Sequence, residues 1–363
     1  MNQAYFDIAV IGGGVIGATT ALSLYKQGYN VVVLEKNTQF AQEASQAGGG
    51  IISPLHPWRY SKAMLDLAQW SHEKFPEFVH QLSCLSGVGI PLIKTGMLVP
   101  NTQEAEAALQ CPFLSAKILN SQDVFSIEPG IFEPKESVFV EEVKNIRNPA
   151  LCKALPIAMI KLGISQRLNF YVESIKKQKN GFQVSSKNDS INANKVIVCS
   201  GAWSSQMLSL CDDLFMQNMP NIFPVKGQMI AIKAKLGVLR TVILDQNRYL
   251  IPRHDGIVVV GSTIEKTNFE KDVTKAAFQE LREFAYKMLP ALKHYPIISQ
   301  WAGLRPGSRR DKPYICAVEN IEGLYLNTGH FRNGLLSAPA SAQVLTDIIT
   351  GQTSQFNLNS YAI

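Results

Sequence analysis

Gly12, Gly14 and Gly17 stand in G-x-G-x-x-G spacing, and an acid, Glu35, follows about twenty residues on. This is the chemistry of holding a pyrophosphate. Gly12 permits a tight strand-to-helix turn, Gly14 lets the backbone approach the phosphates, and Gly17 allows a helix to lie close on a strand. The N–H groups of Val15 and Ile16 open that helix, where free donors and the positive dipole end attract an anion. A carboxylate at Glu35 accepts hydrogen bonds from ribose hydroxyls and repels a 2′-phosphate. The competing reading is a glycine-rich turn in an ordinary βαβ unit. The flanking segments favour a dinucleotide, without separating FAD from NAD.

Those segments are the elements that must position the glycines. Residues 7–11 read as a buried strand, 18–27 as a helix ended by Gly28, and 31–34 as a second buried strand. The small-residue stretch 41–52, with Ala44, Ser45, Gly48, Gly49 and Gly50, suits backbone lying close to a bulky planar ligand. Helices are expected over 61–82 and 150–162, the second after a break at Asn148-Pro149. Strands are expected over 97–99, 138–143 and 170–174, with a hairpin over 181–184 and 191–193. Residues 195–199 are apolar and end in Ser200-Gly201-Ala202, the pattern of a buried parallel strand meeting a ligand at its carboxyl end. Alternation over 228–234 and 248–263, then an amphipathic helix over 271–289, suits an antiparallel sheet with a helix. A strand at 324–327, Gly329 and a helix over 336–350 aim a second helix N-terminus at the ligand.

A chain of 363 residues exceeds one ordinary core, so two domains are expected. The net charge of +6 is mild and its clusters, such as Arg309-Arg310, are short. Nucleic-acid binding is therefore not expected, and weak peripheral contact with an anionic membrane is compatible. Six scattered cysteines without C-x-x-C argue against a zinc site and fit a reducing cytoplasm. No signal peptide or apolar span is read, and no H-x-x-H or H-E-x-x-H pair suggests a metal. No Ser-His-Asp, paired-carboxylate or Cys-His constellation stands out.

Further blocks give the chain a family resemblance. Pro224-Val225-Lys226-Gly227-Gln228, Tyr249-Leu250-Ile251-Pro252-Arg253, Trp301-Ala302-Gly303-Leu304-Arg305-Pro306-Gly307 and Gly329-His330-Phe331-Arg332-Asn333-Gly334 join the fingerprint and Ala44-Ser45. Together they resemble the D-amino acid oxidase superfamily of flavoproteins, near its glycine oxidases. The resemblance implies an α/β fold: a Rossmann-like FAD-binding domain with an inserted antiparallel-sheet α+β substrate domain. We expect the FAD domain over 1–85, 145–215 and 300–363, and the substrate domain over 86–144 and 216–299. It implies FAD rather than NAD, held non-covalently, since no cysteine stands at Gly303 or Leu304.

The resemblance also implies roles. Val15, Ile16, Glu35 and Lys36 would meet the pyrophosphate and adenosine ribose, with Val172 at the adenine. Glu43, Ala44 and Gly48 to Gly50 would run along the pyrophosphate and isoalloxazine. His330, Phe331, Arg332, Asn333, Gly334, Leu335 and Leu336 would present backbone N–H groups to the flavin pyrimidine end. Arg305 would grip a substrate carboxylate, helped by Tyr249, with Arg332 near the same pocket. A guanidinium offers paired donors matched to a carboxylate, and tyrosine adds a phenol and a flat wall.

The implied activity is oxidation of a small amino acid such as glycine, sarcosine or a D-amino acid, with oxygen as acceptor. The alternatives are a quinone-linked D-amino acid dehydrogenase, a flavoprotein removing a carboxymethyl group from a tRNA wobble base, and a flavin binder without turnover. A homo-oligomer is compatible with all of these. The chain departs from the pattern at Gly48-Gly49-Gly50, which implies more room or mobility near the flavin. It departs also at Cys316 and at His56-Pro57-Trp58-Arg59-Tyr60, readable as a surface turn or as a pocket lid.

Overall fold

Strand β1 (Tyr5–Ile11) is buried along nearly its whole length, as a central parallel strand covered on both faces must be. It pairs in parallel with β2 (Val31–Leu34) on one side and β3 (Ser190–Val198) on the other. Between β1 and β2 runs α1 (Val15–Lys26), whose small residues Gly17, Ala18 and Ala21 let it lie close to the sheet. The computed structural model describes residues 5–100, 102–212 and 219–363.

Among the described residues, the first sheet holds nine strands. The expected hairpin strand and the expected buried parallel strand prove to be one element, β3. Its first residues pair antiparallel with Gly181–Ser185, and its last pair parallel with β1 and with Leu324–Thr328. No turn residue between Ala193 and Lys195 interrupts it. Of residues 170–174 only Ser174 lies in a strand; Phe170 N–H instead donates to the Glu35 carbonyl at 2.9 Å. One face of the sheet packs under α1, the helices Lys62–Ser86 and Asn148–Lys161, and the C-terminal helix Gly334–Thr350. The helix Asn148–Lys161 begins at the residues read as a break, with proline in its first turn.

The second nine-stranded sheet is built on the long strand β4 (Phe223–Lys233), which pairs antiparallel with three others. Strands β5 (Arg248–Pro252) and β6 (Ile257–Gly261) continue it on one side. On the other lies β7 (Ile297–Gly307), paired from Phe223 to Ile232 of β4. The division expected at residue 300 thus falls inside β7. The amphipathic helix Lys275–Met288 covers this sheet through Leu281, Phe284 and Ala285, and the Thr274 hydroxyl caps it by accepting from Ala277 N–H at 3.2 Å. Three short strands, Ile51–Ile52, Leu92–Lys94 and Lys144–Ile146, form a third sheet. Among the described residues, no helix is long and apolar enough to cross a membrane.

One buried acid marks the second sheet. Glu128 is fully buried; its Oε2 accepts from the N–H groups of Arg240 and Thr241 at 2.8 and 3.0 Å, while Oε1 has no partner. Burial pushes its carboxyl above the usual range, against those hydrogen bonds. A raised folded-state pKa means the folded state holds the proton more tightly. Its contribution is therefore lost as pH climbs from the ordinary carboxylate value through the raised one. Glu128→Gln removes this titration, so the melting temperature of the variant minus that of wild type should grow more positive from pH 4 to pH 8. A difference independent of pH in thermal melts would refute the assignment.

Candidate active site

The carboxyl ends of β1, β2, β3 and Leu324–Thr328 open into one cleft with about 1700 Å³ of empty space, its open mouth included. The walls reach from Glu35 and Val172 at one end to Tyr249, Arg305 and Arg332 at the other.

The turn at the first end is held by what its glycines lack. Gly12 has φ of +109°, and a β-carbon there would stand 2.6 Å from the Cys199 carbonyl oxygen. One added to Gly17 would stand 1.9 Å from the Gly12 carbonyl oxygen. Gly12, Gly14, Val15 and Ile16 line the cleft; Gly17 does not, and acts by packing α1 onto the turn. The Val15 N–H donates to Ser45 Oγ at 2.9 Å, which ties the small-residue stretch to the helix N-terminus.

Glu35 is buried at the end of β2. Its Oε2 accepts from Gly13 N–H at 2.8 Å and its Oε1 from Asn37 N–H at 2.9 Å. Each oxygen retains lone-pair capacity for a ribose hydroxyl. Beside it Lys36 Nζ lies 3.2 Å from the centre of the Trp203 ring and 3.5 Å from Glu43 Oε1. Burial lowers the Lys36 pKa, against the pull of Glu43. Burial works to raise that of Glu43, but Lys271, 2.9 Å away, and Lys36 outweigh it and hold the carboxylate below its usual range.

The middle of the cleft is walled by Ala44, Ser45 and Gly48 to Gly50, with Gly201 across from them at the end of β3. The triple glycine does not leave empty room. A β-carbon on Gly49 would come within 2.9 Å of Ile251 and 3.1 Å of Tyr249, and one on Gly50 within 2.2 Å of Asn148 Oδ1. Asn148 Nδ2 donates to the Ser45 carbonyl at 2.9 Å, and Arg253 Nη2 to the Gly49 carbonyl at 2.7 Å. Trp301 Nε1 donates to the Ala47 carbonyl at 3.0 Å, and Gly303 leaves space for the Ala47 methyl. The blocks from β5 and β7 therefore brace the loop.

At the far end two guanidinium groups stand without an acid. Arg305 Nη2 donates to Ser262 Oγ at 2.6 Å and its Nη1 to the Thr263 carbonyl at 3.3 Å, while Gly227 leaves room for the group to lie across β4. Arg332 Nη1 donates to Asn247 Oδ1 at 3.2 Å; its Nε and Nη2 are buried with no partner. Burial, then the charge of Arg305, lowers the Arg332 pKa. Among the described residues, no carboxylate forms an ion pair with either arginine. Two partly buried cations within each other's field, one with an open fork of donors, can receive an anion. Tyr249 stands beside them, nearly buried, its hydroxyl 4.0 Å from Met229 Sδ, a weak acceptor that leaves the phenol free for a ligand.

The segment His330 to Leu335 lines the same cleft and runs into the first residues of the C-terminal helix, whereas Leu336 packs inward with the core that holds Ile8, Leu67 and Val344. His330 is buried with Nε2 3.0 Å from Ser341 Oγ, and burial pushes its pKa down to about 3, so the ring is neutral at working pH. The His56–Tyr60 segment is tied down. His56 Nε2 lies 2.8 Å from the Gln246 carbonyl, Trp58 Nε1 donates to Glu104 at 2.7 Å, and Arg59 pairs with the same acid. Ser53 and Leu55, just before this segment, line the cleft.

Sequence reasoning did not single out Asn148, Met229, Ser262 or Trp203 as site residues. Asn148-Pro149 reads as a chain break before a helix; Met229 sits in β4 and Ser262 just past β6, in segments whose alternation carries no chemical signature. Trp203 followed the glycine at the end of β3, and that position was its one usable signal.

The residues fit FAD. A pyrophosphate-type turn with no β-carbons, a buried acid at the end of β2, and a second glycine–helix start converge on one long cleft. Comparison with known proteins agrees. A family model described as FAD dependent oxidoreductase matches residues 7–348. The chain is 37% identical over 354 residues to a glycine oxidase of Pseudomonas putida, covering 95% of this chain and 94% of that one. Among solved structures, a glycine oxidase from Bacillus cereus superposes with a TM-score of 0.89 at 31% identity, covering 99% of this chain and 98% of that one. Another from Geobacillus kaustophilus reaches a TM-score of 0.93 at 23% identity, covering 99% and 98%. The cleft, its glycine turn and these likenesses together place the chain in the D-amino acid oxidase family of FAD-dependent oxidoreductases.

Proposed function

We propose that this protein oxidises a small amino acid, such as glycine, sarcosine or a small D-amino acid, at its Cα–N bond. The observation that carries the reading is that Arg305 and Arg332, neither in an ion pair among the described residues, stand beside the phenol of Tyr249 in a cleft that fits FAD. The relatives named glycine oxidase support it.

Arg305 and Tyr249 would bind the substrate carboxylate, with the open fork of Arg332 adding charge. Tyr249, Met229 and the Gly48–Gly50 wall bound the space for a side chain and favour a small one. FAD bound in the cleft supplies an acceptor for the hydride that leaves Cα. The protein contributes orientation and a positive field, and His330, neutral and held by Ser341, is not placed to take the amine proton. The substrate therefore reacts with its amine already neutral, the nitrogen lone pair forming the imine as hydride departs. Hydrolysis of the released imine gives a 2-oxo acid and ammonia or an amine. Oxygen is the proposed electron acceptor.

An anaerobic panel of glycine, sarcosine and D- and L-amino acids should bleach the flavin for the substrate class named here; bleaching by none would sink the reading. Reduced enzyme mixed with air should regain its colour quickly in stopped flow, whereas flavin that stays reduced for minutes points to another acceptor. Arg305→Ala should cost about 2–5 kcal/mol of transition-state binding, so kcat/KM falls roughly 30-fold to several thousand-fold with FAD content retained. Unchanged kcat and KM would remove Arg305 from the carboxylate site.

The pH profile gives a separate check. With the His330 pKa down to about 3, kcat/KM should rise with deprotonation of the substrate amine and show no inflection near pH 6.5. An inflection there that disappears in His330→Asn would show that the histidine titrates in turnover.

A further inference from the structure

Arg253 closes β5 and is only 5% exposed, yet no carboxylate pairs with it among the described residues. The nearest acid by sequence, Asp255, lies 3.6 Å from Arg147 instead. Its donors go to three oxygens of the loop and the third sheet: the Gly49 carbonyl at 2.7 Å, the Ile146 carbonyl at 2.6 Å and Asn145 Oδ1 at 3.0 Å. Nε has no partner. Burial pushes the pKa down to about 10, so the group stays charged at neutral pH. A buried cation spent on two carbonyls and an amide oxygen is a costly tether if its only task is to join strands.

The geometry of the tethered peptide says what else it does. The Gly49 carbonyl points at Arg253, and in a planar trans peptide the N–H of Gly50 points the opposite way. Gly49 and Gly50 both line the cleft. Gly50, with φ of +75°, can hold this pose because it has no side chain: a β-carbon would meet Asn148 Oδ1, the Ile146 carbonyl and Arg253 Nη1. A cation directly behind the wall also favours negative charge in front of it, since a low-dielectric interior screens it weakly.

We propose that Arg253 is a positioning residue for the flavin: it fixes the Gly49–Gly50 peptide so that the Gly50 N–H faces the ring, and its charge eases reduction. The proposal rests on the reading that the isoalloxazine lies along Gly48–Gly50. It differs from the carboxylate site in predicting an effect on the bound cofactor before any substrate is present.

The test compares holoenzyme, Arg253→Met and Arg253→Lys for FAD dissociation constant, by flavin fluorescence, and for flavin midpoint potential, by dye equilibration. Arg253→Met should weaken FAD binding by about tenfold or more and move the potential to more negative values. Arg253→Lys, which keeps the charge and loses the fork, should weaken binding by roughly threefold or more and hold the potential near wild type. In turnover, kcat should fall while KM changes little, because Arg305 and Tyr249 are untouched. A folded Arg253→Met with lower melting temperature but wild-type FAD affinity and potential would overturn the proposal and leave a structural tether. If Arg253→Met does not fold, the lysine variant decides: unchanged FAD affinity overturns the positioning role. Bleaching of wild-type flavin by amino acids is read separately, so loss of the substrate assignment and loss of this one are distinguishable.

Discussion

The contact between Gly17 and the Gly12 carbonyl is the constraint from which the site follows. With no β-carbon at either glycine, α1 drops onto the turn, and Gly12 in turn lies against the Cys199 carbonyl at the end of β3. Three neighbouring elements are thereby fixed at backbone distance. Their carboxyl ends then share one edge, and Glu35, Gly201 and the His330 segment all follow strands that reach that edge. A cleft at the crossover of a parallel sheet is the general outcome of such topology. The particular one here is long because the second sheet, through β5 and β7, extends the wall beyond the turn.

Charge divides the cleft into two halves. At the Glu35 end, Lys36 is neutralised by Glu43 and covered by the Trp203 ring, and Lys271 shares the same acid. A ligand there meets a nearly balanced surface and is recognised through hydrogen bonds and fit. At the other end, among the described residues, no carboxylate forms an ion pair with Arg305 or Arg332, and their charge favours an anion there. Because both arginines keep donors engaged with neutral groups, the forks are held in place before an anion arrives. Pre-oriented charge of this kind acts on a carboxylate without waiting for the protein to rearrange.

Much of this was legible in the residues. The glycine spacing and the terminal acid located the turn, and the apolar strands located the centre of the first sheet. What escaped were features set by register and by distant partners. β3 reads as two segments because half of it pairs antiparallel and half parallel, and only the pairing makes it continuous. Residue 300 reads as a boundary because Trp301–Gly307 carries the family's chemistry, while its backbone hydrogen bonds belong to β4. Asn148 and Arg253 lie far from the loop in sequence and reach it through side chains whose targets are carbonyl oxygens. No spacing pattern encodes a hydrogen bond to a backbone atom.

The triple glycine shows how a correct physical premise leads to a different consequence once neighbours are present. Fewer side chains do mean more conformational freedom in an isolated loop. In the folded chain, the volume released at Gly49 is taken by Tyr249 and Ile251, and that at Gly50 by Asn148 and the Ile146 carbonyl. The loop is therefore a thin wall pressed between the cleft and a buried cation, and its backbone rather than its side chains faces the ligand. Thinness is useful here: it brings Arg253 within one peptide of the cleft while still excluding it from direct contact. A side chain on Gly49 would push Tyr249 outward and move the phenol relative to Arg305, so the glycines that shape the cleft wall also set the spacing of Tyr249 and Arg305.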